Sequence, residues 1–277
     1  MGRRIDNIQL MSHSISVGRL LSVRGSLKMT ASMTMQDIPQ VVLDAALALH
    51  QRNNTSLTYS PSSTSEFNAV EVNPLWHCVG GEIEFANLEA RNHCAALATF
   101  QQVMPLSGNN ALFDAAYGLW RSEINHPDSA SGRFLGLVNQ NESVLLWAAK
   151  VIGGKSRRVF DVLHLLEKAL PHLPNIRAEE VVAVIDAQHE STKRDMAGGM
   201  IFNALERRLR SESQIAWEVW HIARTNMSES MQSLYGTALQ ALMHTDQQSL
   251  ALEKAMQDTE DIDPLIAGAA LWTMGRA

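Results

Sequence analysis

Trp147, Val182, Trp217 and Leu252 stand at steps of 35 residues, and that spacing constrains the chain more than any other feature. Each lies in a segment whose apolar residues recur with helical period. Second helical segments come between them, and in these the pair Ala-Leu recurs at 169–170, 204–205 and 241–242, with Thr273-Met274 in the equivalent place. A glycine stands five residues before three of these pairs, at Gly199, Gly236 and Gly268. His164 takes the fourth such position, where it should widen one helix contact. A helix pair repeated at a fixed period cannot bury its apolar face alone and must stack on its neighbours. The sequence therefore predicts an all-α chain: an α-solenoid of stacked antiparallel helix pairs, about five of them over 107–277. The earliest pair is degenerate, running from Asn110 to Glu123 and then from Ser129 to Asn139.

Helix starts support the same register. Ser211-Glu212-Ser213-Gln214, Thr245-Asp246-Gln247-Gln248 and the span from Thr192 to Asp195 have capping-box spacing. Asp263-Pro264 places a side-chain cap before a proline at the first helical position, where the missing N–H costs nothing. The helix after it carries Gly268, Ala269 and Ala270, small enough for another helix to lie close. The run from Asp263 to Ala277 resembles the second helix of a HEAT repeat, whose pattern is Asp-Pro, an apolar residue, a small-residue stretch, then Ala-Leu-Gly-Arg, with Thr273-Met274 here in place of Ala-Leu. Ile266 and Ala267 stand where that pattern usually has arginine. Tetratricopeptide repeats share a similar length, but their Trp-Leu-Gly-Tyr and Ala-Phe-Pro positions are not met. Resemblance to HEAT-repeat, armadillo-like proteins implies a non-enzymatic scaffold whose extended surface recognises a protein partner. HEAT-like DNA alkylation-repair glycosylases keep a nucleic-acid-binding enzyme open as the alternative, as does a repeat domain belonging to a longer protein.

Upstream of the repeats the pattern is looser. Residues 1–35 are Ser/Met-rich without a sustained period and read as a mobile arm; Met11, Met29, Met33 and Met35 offer later translation starts. Region 36–106 opens with a helix from Asp37 to Arg52, striped by Val41, Val42, Ala45, Leu47 and Ala48. The Ser/Thr/Asn run from Asn53 to Ser65 reads as an exposed loop. Leu75 to Val79 and Glu82 to Phe85 flank Gly80-Gly81 and predict a short β-hairpin that must pack on helices. The helical period returns from Ala86 to Val103.

Charge and composition bound the function. A net charge of −6 argues against whole-surface nucleic-acid binding. Two cysteines supply no disulfide framework, and no apolar run approaches the roughly 18 residues that span a bilayer. A cytoplasmic location follows from this reading. His77-Cys78 and His93-Cys94 could supply zinc ligands, but adjacent residues point apart on strand or helix, so a core-cysteine reading is preferred and no metal is assigned. Gly153-Gly154-Lys155-Ser156 mimics the end of a phosphate loop but lacks the upstream glycine, and is read as an interhelical turn capped by Ser156. The acids Glu179-Glu180, Asp258, Glu260, Asp261 and Asp263 are read as helix-end and solvated loop charges. Trp147, Trp217 and Trp220 are read as core. No catalytic residues and no cofactor are assigned.

One charge pattern stands out as a site. Arg157-Arg158 and Lys193-Arg194 lie 36 residues apart, and each pair opens a second helix, with Lys155 beside the first. Cations at a helix N-terminus are unfavourable by some tenths of a kcal/mol. Stacked on neighbouring repeats, Lys155, Arg157, Arg158, Lys193 and Arg194 would form an edge for an anion or an acidic partner segment. The helix holding Leu265, Leu271, Trp272 and Met274 is expected to self-associate, or to be covered by the arm.

Overall fold

Pro39 opens the first helix with its carbonyl, which accepts from the backbone N–H of Val42 at 2.9 Å and of Leu43 at 3.3 Å. A computed structural model of the protein describes residues 38–52, 55–60, 73–103, 109–123, 129–154, 158–191 and 196–276. The arm at 1–35 lies outside the described residues. Helix α1 (Gln40–Gln51) buries Val42, Ala45, Ala46 and Leu49, the one-face spacing of an amphipathic helix. Val41, Leu47 and Ala48 are only half-buried, so the face is turned slightly from the stripe read in the sequence.

The hairpin forms as β2 (Trp76–Val79) and β3 (Glu82–Phe85), antiparallel, with Val79 opposite Glu82. Gly80 and Gly81 sit at φ +60° and +84°, the positive values a two-residue type I′ turn requires and other residues resist. A third strand, β1 (Thr58–Tyr59), pairs with β3 on its other edge, giving the order β1-β3-β2. This corrects the loop expected from Asn53 to Ser65: Thr58 and Tyr59 are strand formers, and β3 offers them an open edge. Ile83 and Phe85 alternate inward with Glu82 and Glu84 outward. The sheet rests on α2 (Leu88–Val103), whose start is capped by Asn87 Oδ1 accepting from Ala90 N at 2.8 Å.

Among the described residues ten further helices follow: α3 (Asn109–Arg121), α4 (Ala130–Val138), α5 (Val144–Gly153), α6 (Val159–Ala169), α7 (Ala178–Ser191), α8 (Met196–Leu209), α9 (Ser213–Thr225), α10 (Glu229–Met243), α11 (Gln248–Asp258) and α12 (Pro264–Met274). The 35-residue markers fall in α5, α7, α9 and α11. Trp147 is buried, whereas Val182, Trp217 and Leu252 are half-buried and the residues just before them, Val181, Ala216 and Ala251, take the core position. The Ala-Leu pairs of α8 and α10 are fully buried. None of the described helices is long and apolar enough to cross a membrane.

Residues Ile38–Ala277 form one compact unit. Within it α2, α4, α6, α8, α10 and α12 pack in succession, each on the next even-numbered helix, while α5, α7 and α9 pack in a second succession. Polar bonds also join helices and loops distant in the chain. Asn139 Nδ2 donates to the Pro174 carbonyl at 2.7 Å, and Arg208 donates to the Leu173 carbonyl at 3.0 Å, each across 35 residues. Arg133 to Glu89 (2.6 Å), Arg158 to Asp114 (3.0 Å) and Ser230 to Asp186 (3.1 Å) each span 44 residues.

Two glycines set the closest crossing. A Cβ at Gly132 would lie 2.1 Å from the Lys168 carbonyl oxygen, and one at Gly136 would lie 2.5 Å from that of His172. The α4 backbone is therefore seated directly on the end of α6 and the 3-10 turn Leu170–His172.

Helix ends differ from the expected caps. Helices α9 and α11 begin after Glu212 and Gln247, neither of which makes a side-chain capping bond. Ser211 Oγ donates instead to the Arg208 carbonyl and closes the preceding helix, while Thr245 Oγ1 donates to the Leu242 carbonyl and also accepts from Gln247 N at 3.1 Å, just before α11. Asp263 does cap α12, accepting from Leu265 N at 2.9 Å, with Pro264 at the first helical position. The Thr192–Asp195 box and Ser156 lie outside the described residues.

Candidate functional site

Of the five cations on the expected basic edge, Lys155, Arg157, Lys193 and Arg194 lie outside the described residues, and Arg158 alone is placed. It stands just before α6, about half exposed. Its guanidinium donates to Asp114 Oδ1 at 3.0 Å, and its central carbon lies 4.4 Å from the Phe113 ring centroid. Asp114 thus offsets the unfavourable meeting of this cation with the α6 N-terminus. Phe160, two residues on, is 58% exposed.

Phe113 begins an aromatic run that sequence reading did not single out. Phe113 stacks on Tyr117, Tyr117 leans on Trp120 and Trp120 stacks on His164, each with centroids 5.5 Å apart. The i, i+4, i+7 spacing on α3 was the available signal. The rings contact one another, and Phe113 also meets Arg158, which makes the run a clamp between α3 and α6. Trp217 and Trp220 similarly meet edge-to-face at 5.4 Å.

The metal-like pairs are placed apart in chemistry. His77 meets Glu84 across the hairpin at 2.9 Å, its register partner. Cys94 is buried in α2, and burial pushes its thiol up to about 12. Among the described residues no group of three or more His, Cys, Asp or Glu side chains is gathered as a metal site needs. Gly153 ends α5 and Gly154 caps it, so the phosphate-loop mimic follows a helix as far as it is described.

The acidic run changes character in the structure. Asp258 is not a solvated loop charge: it is buried, accepting from Arg224 Nε at 3.0 Å and from the Tyr235 hydroxyl at 2.8 Å. Arg224 also donates to Asp261 at 2.6 Å. Burial, and then the bond to Asp258, raise the Tyr235 phenol above its ordinary range. Burial works against the Arg224 charge, yet the hydrogen bond and charge of Asp258 and the charge of Asp261 hold its pKa above the usual value. Each charge here is answered by another, so the cluster ties α9, α10 and α11 together.

An open surface lies on α12. Gln232 and Ser233 of α10, with Gly268, Ala269 and Trp272 of α12, line a groove of about 440 Å³. Trp272 leans over Gly236, where a Cβ would meet its ring at 2.7 Å. Of the small residues Gly268, Ala269 and Ala270, the two alanines are buried where α12 packs on α10, whereas Gly268 faces open space. Exposed large apolar side chains concentrate nearby in the chain: Leu250 and Met256 on α11, Ile262 in the turn, Leu271 and Trp272 on α12. The groove lining mixes polar Gln232 and Ser233 with apolar Ala269 and Trp272, and exposed Leu271 stands next to Trp272 in the chain. Comparisons with protein-family models, curated proteins and solved structures found no match to this chain.

Proposed function

We propose that this chain is a HEAT-type α-solenoid and a non-enzymatic binding module for a protein partner. The observation that carries this reading is the succession of even-numbered helices, each packed on the next, with two polar bonds, each spanning 35 residues, joining the segment at 173–174 to its neighbours on both sides. Stacked pairs of this kind create extended surfaces suited to macromolecular partners. The part-buried cluster of Arg224, Asp258, Tyr235 and Asp261 supports a structural role over a catalytic one, because its members bond to one another.

The partner is proposed to present an acidic segment to the edge formed by Arg158 and, by chain position, Lys155, Arg157, Lys193 and Arg194, with exposed Phe160 as its apolar anchor. A partner captured from the native host and identified by mass spectrometry supplies the probe for direct titration. Charge reversal at Arg157, Arg158, Lys193 and Arg194 is expected to weaken that titrated affinity at least tenfold, about 1.4 kcal/mol, and to remove its salt dependence. The melting temperature should fall modestly, because Arg158 also gives up its bond to exposed Asp114 and its contact with Phe113. Undiminished binding by the folded variant, with its salt dependence intact, would contradict the assignment.

A further inference from the structure

Helix α12 presents an uncharged exposed stripe, Pro264, Gly268, Leu271, Trp272 and Gly275, bounded by charge of opposite sign at its two ends. Exposed Glu260 stands at the N-terminal end with Asp261, which is paired to Arg224, and Asp263, which caps the helix; Arg276 stands at the C-terminal end. Arg276 is held over the Trp272 ring, 4.6 Å from its centroid. The stripe is also uneven in relief. Leu271 is 61% exposed and Trp272 49%, while one turn earlier Gly268 has no side chain and a Cβ there would touch nothing within 4 Å.

We infer that α12 is a homodimer interface, pairing antiparallel with α12 of a second copy about a two-fold axis at the level of Ala270. An isologous interface must be self-complementary, because every contact occurs twice. The α12 stripe meets that condition in three ways. An antiparallel partner brings its Trp272, half exposed with its ring resting on Gly236, opposite Gly268, so the exposed part of each ring meets an open position on both sides of the axis. Its Leu271 is directed to the groove beside Gln232 and Ser233. The same orientation sets Arg276 of each copy against the acidic N-terminal end of the other, and it opposes the two helix dipoles. A parallel arrangement would place acid against acid and Arg276 against Arg276. Charge therefore selects the antiparallel form, and relief sets its register.

The experiment is multi-angle light scattering with analytical ultracentrifugation on the full chain across the micromolar range. The expected result is a monomer–dimer equilibrium, with Leu271→Asp weakening the dimer about 30-fold or more, as an anchor at the centre of an interface does. Leu271 is largely exposed, so this variant should keep the parent circular dichroism and melting temperature. Arg276→Glu should weaken the dimer as well, and more so at low salt. Leu271→Cys should form a covalent dimer under a short bis-maleimide cross-linker, while Ile262→Cys, far from the axis, should not. A chain that stays monomeric throughout overturns the inference, as does a dimer indifferent to Leu271→Asp. A monomer whose Leu271 face holds a different protein overturns it too. The basic-edge variant should dimerise normally, so failure of one assignment leaves the other separately testable.

Discussion

Gly132→Ala should destabilise the protein by about 2–3 kcal/mol, although the same exchange in an open helix is favourable by about 1 kcal/mol. The added Cβ would sit 2.1 Å from the Lys168 carbonyl oxygen, 2.8 Å from its carbonyl carbon and 2.9 Å from His172 Cδ2. Two of these three atoms are backbone and cannot swing away by a rotamer change. α4 and α6 would have to separate, loosening Phe134, Leu135, Val162 and Leu166, all buried in those helices. Gly136→Ala should behave alike, with its Cβ 2.5 Å from the His172 carbonyl oxygen. Gly118→Ala in α3 is the control: nothing lies within 4 Å of its Cβ position, so stability should rise by up to about 1 kcal/mol. Urea unfolding of the three variants measures the contrast. Equal effects at Gly118 and Gly132 would mean that α4 and α6 are not in this contact.

The second large effect is expected at Asp258. Its carboxylate receives Arg224 and Tyr235 together, so Asp258→Ala leaves a guanidinium with one partner fewer and a buried phenol without its acceptor. Removing one member of a buried ion pair costs about 3–5 kcal/mol. Arg224 is partly exposed and keeps Asp261, which places the expected loss near the lower end, about 3 kcal/mol. Tyr235→Phe removes only the hydroxyl and should cost about 1 kcal/mol. In the double variant the losses should fall short of their sum, because both remove the same bond. Full additivity in chemical unfolding would show that Tyr235 and Asp258 do not interact in solution.

These two positions mark where the sequence was legible and where it was not. The helices past residue 107 were visible because their signal is local and repeated: Trp147 and its equivalents, then the Ala-Leu pairs that end up buried in α8, α10 and at the end of α6. Gly80-Gly81 and Asp263-Pro264 were equally readable, since their backbone demands are set within a few residues. Strand β1 was not, because two residues become a strand only beside β3, more than 20 positions away. The departures from the capping boxes have the same origin: packing sets where α9 and α11 begin, Ser211 serves the helix before it, and Thr245 serves both the helix before it and Gln247 N ahead of α11. Asp258 looked like one acid among several in a loop-end run, and nothing local indicated that Arg224 and Tyr235 would close around it. Of the proposed basic edge, Arg158 was legible as a cation opening a helix. Its commitment to Asp114 and Phe113 depends on tertiary packing that brings α3 beside it, 44 residues away along the chain.

Deletion of residues 246–277, followed by native-state hydrogen exchange, tests the central claim most directly. If helix pairs depend chiefly on their neighbours, the loss of α11 and α12 should expose α10 and free Arg224 and Tyr235 to water. Protection in α2, α4 and α6 should remain as in the full chain. Collapse of protection throughout, including α2 and α4, would contradict the account, because it would mean a single cooperative bundle with no stack of separable pairs.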